Sequence, residues 1–313
     1  MRADGIELEN IPCPLCGDRR CDPKLQAPDR FDTKGATVYQ IVACANCHFI
    51  FVNPRPGKNW IGAAYQNANY QPFMSAQSQR SLWDRLYDFA RSLNVRSKRR
   101  KIELLKPKGS ILDVGCGTGE FLNQMQVKGW QASGIETDAP AAAFAKSEYG
   151  LAISNSDLAS VGFDEKSFDV ITFWHVLEHV FDPIPTLKMA ARILKDDGIM
   201  LVACPNIESA DAKFYGRDWV PLDAPRHLSH FVPASAARAA EESGLTVFKL
   251  QPMFLDAIYN CLMSEQLVAA GKHPIARLLL LRALPIAGFS LAASIFDNGR
   301  GSAIIYYLRK RGS

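Results

Sequence analysis

Four groups of residues in the chain have types and spacings that can do chemistry. The first is two cysteine pairs, Cys13-Pro14-Leu15-Cys16 and Cys44-Ala45-Asn46-Cys47. Two residues between thiols make a tight knuckle that turns both sulfurs toward one point. Four thiolates at tetrahedral geometry suit structural Zn2+, and a site closed by four ligands leaves no position for a substrate. Four buried free cysteines, or a redox dithiol, are the alternatives, and the repeated spacing favours the metal. Cys21 and His48 are spare ligands. The second group is a glycine turn, Gly115-Cys116-Gly117-Thr118-Gly119, two residues after Asp113. Such a turn between a strand and a helix brings backbone N–H groups and a helix N-terminus to a ligand with no Cβ in the way. About 20 residues on, Glu136 stands where an acid accepts hydrogen bonds from ribose hydroxyls.

The third group is His175, Glu178 and His179, which share a face if that stretch is helical. Three readings stay open there. A histidine can act as general base, because imidazole titrates near neutral pH. The three side chains can ligate a divalent metal. Glu178 and His179 can be a structural pair. The fourth group follows a long loop: Trp219, then Arg226-His227. A guanidinium can fork onto carboxylate or phosphate, and an indole face can bound a ring.

These groups need elements to hold them. Apolar runs predict strands near 110–114, 131–136, 151–153, 168–173 and 198–203, with helical patterns between them. That alternation implies an α/β chain with a mostly parallel sheet. Leu245–Leu250 reads as a sixth strand, after a helix from Pro233 to Ser243-Gly244. Around the cysteines, strands at 37–43 and 49–52 make a zinc ribbon over residues 1–57, closed by Asn53-Pro54-Arg55-Pro56-Gly57. Residues 58–108 read as a helical arm with an apolar rhythm through Trp60, Ala64 and Tyr65, then Leu82, Leu86, Phe89 and Leu93. Arg96 and Lys98–Lys101 are basic, and Val95, Ile102 and Leu105 supply a buried side, so the cations read as a solvated face. Residues 109–313 form the core, with an apolar insertion at about 252–300.

Three ordered motifs carry a family likeness: Asp113-Val114-Gly115-Cys116-Gly117-Thr118-Gly119; Gly134-Ile135-Glu136; and Phe168-Asp169-Val170-Ile171 followed by His175-Val176-Leu177-Glu178-His179-Val180. Together they resemble class I S-adenosylmethionine-dependent methyltransferases. The resemblance implies a doubly wound, seven-stranded, mostly parallel Rossmann-like sheet whose last strand, at Ala303–Leu308, is antiparallel. It implies S-adenosylmethionine at Asp113, Gly115, Cys116, Gly117, Gly119, Glu136, Thr137, Asp157, Leu158 and Trp174, with Asp157 on the adenine amino group. A tyrosine of the N-terminal arm, Tyr65 or Tyr70, can enter the site in similar enzymes. A Glu-x-x-Glu-His pattern binds metal in some related O- and RNA-methyltransferases, and here His175 replaces the first glutamate. The loop after the fifth strand resembles a bacterial subgroup that modifies sugars, quinones or other small metabolites. His227, His175 and Arg226 are the candidate catalytic residues, with Trp219 beside them at the acceptor.

Composition sets bounds. The 313 residues are 48% hydrophobic and 22% charged, as in a globular chain able to bury a large core. A net charge of +4 does not by itself call for nucleic acid. The expectation is a cytoplasmic enzyme acting on a small molecule, because Met1–Gly5 shows no apolar signal core. An RNA methyltransferase that uses the ribbon to hold RNA, and a cofactor-binding module without activity, are the rivals. The stretch 274–296 is broken by Arg277, Arg282 and Pro285. It reads as an interfacial segment, a dimer face or a cap on the pocket.

Overall fold

The computed structural model describes residues 2–3, 6–32, 37–58, 82–269 and 280–312. The N-terminal part contributes β1 (Arg2–Ala3), β2 (Ile6–Glu9), β3 (Cys21–Pro28), β4 (Val38–Cys44), β5 (Ile50–Val52) and β6 (Arg55–Pro56). Helix α1 (Leu82–Glu103) leads into the core. The core begins β7 (Ser110–Val114), α2 (Glu120–Val127), β8 (Gln131–Ile135), α3 (Ala139–Tyr149), β9 (Ala152–Ser154) and β10 (Phe168–Trp174). It continues with α4 (Pro183–Ile193), β11 (Leu194–Pro205), α5 (Ala210–Tyr215), β12 (Ser229–His230), α6 (Pro233–Glu242) and β13 (Leu245–Pro252). Helices α7 (Phe254–Ala269) and α8 (Leu280–Phe296) precede β14 (Ala303–Lys310).

Seven strands make the central sheet in the order β13-β14-β11-β10-β7-β8-β9. β10 runs parallel to both β7 and β11, and β7 and β9 run parallel to β8. β14 is antiparallel and lies between β11 and β13. The expected α/β sheet with its antiparallel last strand is therefore present. The fifth strand is longer than its apolar run, Leu194–Pro205 rather than 198–203. After Leu194, the polar Lys195-Asp196-Asp197 and Gly198 fall where its pairing with β10 is irregular, so hydropathy alone missed them.

Alternation along the strands builds two cores. Leu112, Ile171, Phe173, Met200, Val202 and Ile304 face α4 and α6. Ile111, Val170, Leu201, Ala203 and Ile305 face α1, α2 and α3. Side chains of period two separated onto two covered faces are what a parallel sheet between helices requires. Helix α1 is pinned by Ile102, which is fully buried, and by an Arg91–Glu120 ion pair of 2.7 Å. Trp60, Ala64, Tyr65 and Tyr70, and the side chains of Leu82, Leu86 and Phe89, lie outside the described residues; Leu93 is 40% exposed.

The sequence reads residues 1–57 as a module of their own. In the structure its four-stranded sheet runs β12-β5-β4-β3, so a strand from the core, Ser229–His230, completes it. Cys13, Cys44, Phe49 and Phe51 also share a core with Leu177 and Phe231. Among the described residues, no helix is long and apolar enough to cross a membrane.

Candidate active site

The glycine turn leaves β7 at the carboxyl edge of the sheet. Gly115, Gly117 and Gly119 have φ of +71°, +55° and +80°, a region that side chains with a Cβ rarely adopt. Space demands glycine as well: a Cβ on Gly115 would lie 2.5 Å from the Val176 side chain. The backbone N–H groups of Gly115 and Cys116 both donate to the carbonyl of Ile135, at 2.8 and 3.0 Å. The N–H of Gly117 donates to Glu136 Oε2 at 2.7 Å, and that of Asp138 to Oε1 at 2.8 Å. The turn after β7 and the acid after β8 are thus one unit. Gly134 allows this closeness, because a Cβ there would lie 2.7 Å from Cys116 Sγ.

Deeper in, Asp113 is buried and accepts from Thr172 Oγ1 at 2.5 Å. Burial pushes its carboxyl up to about 7, against the Thr172 hydrogen bond and the charge of Lys98, which lower it. Trp174 closes β10, its ring edge-on to Phe121 at 5.6 Å, and its indole N–H is buried with no hydrogen-bond partner among the described residues. Lys98 Nζ lies 4.5 Å from the centre of that ring. Lys98 is therefore no part of a solvated face. Burial lowers its pKa while Asp256 and Asp113 raise it, so it belongs to the inner wall of α1. Its place in a basic run hid it. Leu158 is buried. Asp157 is exposed and caps its own turn, accepting from Ser160 N at 2.8 Å and Oγ at 2.7 Å. Thr137 is exposed, and its carbonyl accepts from Asn155 Nδ2 at 3.1 Å.

On the other side of β10, His175 has φ of +57°, uncommon for a residue with a Cβ, and its N–H donates to the Ala203 carbonyl. Its Nε2 meets Asp256 Oδ2 at 2.9 Å, and its Nδ1 lies 3.4 Å from Glu178 Oε1. Burial alone would lower its pKa, but the two carboxylates override that and raise it to about 9. With both nitrogens engaged, His175 is an imidazolium that joins α7 to the sheet edge rather than a poised base. Sequence reasoning missed Asp256, which lies 81 residues away on the insertion.

Glu178, His179 and His227 come together instead: one ligand atom from each lies within 4.8 Å of the others. The His179 and His227 rings meet edge-on at 4.5 Å. His227 Nδ1 contacts the Pro221 carbonyl at 2.7 Å, and His179 Nδ1 contacts the Arg226 carbonyl at 3.0 Å. A carbonyl only accepts, so each Nδ1 carries the proton and each Nε2 is the acceptor of its ring. Burial, with His179 beside it, lowers His227 to about 4, so it is neutral. Glu178 is 1% exposed, its Oε1 faces His175 Nδ1 and its Oε2 accepts from Cys204 Sγ at 3.5 Å, and His175 keeps it ionised despite burial.

The loop after β11 places its other candidates elsewhere. Trp219 is 1% exposed and donates from Nε1 to Asp211 Oδ2 at 2.8 Å, inside the core between the ribbon and α7. Arg226 is also 1% exposed. It donates from Nε to Asp223 at 2.9 Å and from Nη2 to Asp29 at 2.8 Å, with Phe31 under the guanidinium at 4.4 Å. The sequence reading set both beside the acceptor. In the structure both are interior, and Arg226 joins the loop to the ribbon's β3 edge.

In the ribbon, ligand atoms of Cys13, Cys16, Cys44 and Cys47 lie within 4.8 Å of one another. Cys13–Cys47 and Cys16–Cys44 sulfurs are 3.5 Å apart, close to the ~3.8 Å edge of a tetrahedron with Zn–S bonds of about 2.3 Å. Gly17 donates to the Cys13 carbonyl, and His48 to that of Cys44, each at positive φ, so the two knuckles repeat one geometry. Cys21 and His48 lie outside the cluster.

A glycine turn locked to an acid, on a sheet with an antiparallel seventh strand, defines a nucleoside-cofactor enzyme of the Rossmann type. Residues 80–250 match the family model described as a methyltransferase domain. The chain belongs to the class I S-adenosylmethionine-dependent methyltransferases and is an enzyme of that kind. It is 32% identical over 161 residues to a ubiquinone biosynthesis O-methyltransferase of Thiobacillus denitrificans, covering 46% of this chain and 67% of that one. It is 28% identical to a probable S-adenosylmethionine-dependent methyltransferase of Mycobacterium tuberculosis, over 31% of this chain and only 35% of that one. Geranyl diphosphate C-methyltransferase from Streptomyces coelicolor shares the fold, with a TM-score of 0.50 at 14% identity, over 76% of this chain and 89% of that one.

Proposed function

We propose that the chain transfers the methyl group of S-adenosylmethionine to a hydroxyl of a small, quinone-like acceptor. The observation that carries this is the division of one sheet edge into two walls. Gly115–Gly119, Glu136, Asp113 and Trp174 form the cofactor wall. Glu178, His179 and His227 form the acceptor wall beyond β10. The relatives that act in ubiquinone biosynthesis support an oxygen acceptor attached to an apolar ring.

Methyl transfer from a sulfonium is an in-line displacement, so the protein's task is to hold two reactants aligned and to manage one proton. Glu136 offers carboxylate oxygens to the ribose, and the buried Trp174 indole offers an aromatic face and an N–H to the cofactor. Without a cation, His227 Nε2 would accept the hydrogen bond of the reacting hydroxyl; with one, the same lone pair would ligate it. Its lowered pKa makes it a weak base and a good neutral ligand. The Nε2 acceptors of two histidines, each oriented by a backbone carbonyl, and an ionised glutamate beside them fit a divalent cation, which Glu178, His179 and His227 would hold. Bound there, a cation would supply a lowered pKa to a hydroxyl near it.

Calorimetry and turnover test this together. Glu136→Ala should weaken S-adenosylmethionine binding roughly ten- to a hundredfold, from loss of charge-assisted hydrogen bonds of about 1.5–3 kcal/mol. His227→Ala and Glu178→Gln should lower turnover on a catechol-bearing test acceptor and leave cofactor affinity within about twofold. Full turnover in both acceptor-wall variants would end the assignment.

A further inference from the structure

We infer that the outer face of α8 is an interfacial anchor that seats the protein on an anionic lipid surface. The helix is inside out. Its inward residues are small or polar: Ala283, Ala287, Ser290 and Ser294 are buried. Its outward residues are large and apolar: Leu281 is 67% exposed, Leu284 61%, Phe289 70%, Ile295 70% and Phe296 91%. The cause lies beneath it. Asp211 is buried and collects donors from Trp219 Nε1, Ser302 Oγ and Ser290 Oγ, so the inward stripe of α8 serves a polar cluster and leaves the hydrophobes outside. The five outward side chains expose on the order of 600 Å² of apolar surface, at the upper end of the roughly 300–600 Å² that the largest patch of a soluble monomer reaches and that often marks an interaction site.

Length and charge select the occupant. Seventeen residues span about 25 Å, short of a ~30 Å hydrocarbon core, so the helix can lie in an interface but not cross it. From Ala283 to Phe296 it carries no charged residue. Cations stand at its N-terminal end: Arg282 lies over Phe214 at 5.5 Å, and Phe214 is 53% exposed between exposed Lys213 and Arg217. Of the acids at the helix, Glu265 pairs with Arg282 and Asp297 with Arg300, while Asp211 is buried beneath it on neutral donors. An apolar stripe beside basic side chains matches the acyl boundary and headgroups of an anionic bilayer. The face also continues to the site. Helix α7 packs on α8 and carries Asp256, which holds His175 at the acceptor wall. An acceptor with an apolar tail, as in the function proposed above, would leave the bilayer beside that wall; the anchor rests on that reading for its purpose only.

Vesicle flotation of the full chain tests the anchor. The protein should float with vesicles of equal parts phosphatidylcholine and phosphatidylglycerol, and at least tenfold less with phosphatidylcholine alone. Leu284→Gln/Phe289→Gln/Phe296→Gln should lose binding to both by tenfold or more, with unchanged melting temperature, because the positions are exposed. Lys213→Glu/Arg217→Glu should lose only the preference for the anionic lipid. A wild-type chain that stays off anionic vesicles overturns the inference. So does sedimentation showing a dimer that the triple variant dissolves while vesicles are ignored, because the face then belongs to a second copy. Cofactor affinity is measured on the same samples: flotation without S-adenosylmethionine binding would defeat the functional reading and leave the anchor standing.

Discussion

Replacing Arg226 by methionine should destabilise the protein far more than a surface arginine would. The guanidinium is 1% exposed and pairs with Asp223, 4% exposed, and Asp29, 12% exposed, both at 2.8 Å. Removing one partner of a buried pair costs about 3–5 kcal/mol, because the other charge stays buried and unpaired. Two features reduce that figure here. Arg30 Nε also reaches Asp223 Oδ1 at 3.0 Å, so one carboxylate keeps a cation, and Asp29 retains some solvent. Loss of the Phe31 contact works the other way, by about 0.5–1 kcal/mol. The expected loss is therefore about 3 kcal/mol, measured as the shift in unfolding free energy in urea. Adding Asp29→Asn to Arg226→Met should recover part of it, since Asp29 is the carboxylate whose ion pair with Arg226 is lost. A single-variant loss under about 1 kcal/mol, or no recovery in the double variant, would refute the assignment of Arg226 as the clasp between loop and ribbon.

Two further outcomes are expected. Metal analysis of purified protein should find zinc in the ribbon; Cys44→Ser should lose it and lower the melting temperature, since metal binding supplies folding free energy to so small a site. Asp113 should make stability fall as pH rises. Its folded pKa, pushed up to about 7 by burial, exceeds its unfolded value near 4, so the folded state holds the proton more tightly across that window. Asp113→Asn should flatten the melting temperature between about pH 4 and 7, and parallel pH curves for the two proteins would contradict this.

The sheet was legible because most core strands hold an apolar run bounded by turn residues, with β8, Gln131–Ile135, read from its place before Glu136, and the glycine turn because its φ values favour glycine. Glu136 was legible from spacing. The fifth strand's start was not, because the polar Lys195–Asp197 interrupt its apolar residues at a register irregularity. The cluster of Glu178, His179 and His227 was half legible. His227 and Glu178 stood out by type, but their pairing with His179, and the removal of His175 to Asp256, depend on a 3-10 turn and a distant helix that local pattern does not encode. Trp219 and Arg226 were misjudged for one reason. Aromatic and cationic residues on a loop look the same whether the loop lines a pocket or is folded under another part of the chain. Lys98 was misjudged because it shares its basic run with Arg96 and Arg100, which do face water.

One small feature bears on any attempt to shorten the protein. The N–H of Leu228 donates to the carbonyl of Glu178, and the carbonyl of Leu228 accepts from Val52 of β5, so a single residue is stitched on both sides. Cutting the chain after Gly57 to obtain a minimal catalytic piece would strip β12 of its partner and leave a bare edge next to Phe231 and Phe49's vacated seat. Exposed strand edges beside apolar surface recruit other chains. The shortened enzyme would tend to precipitate, and the piece most easily mistaken for a dispensable appendage would prove to be what keeps the remainder in solution.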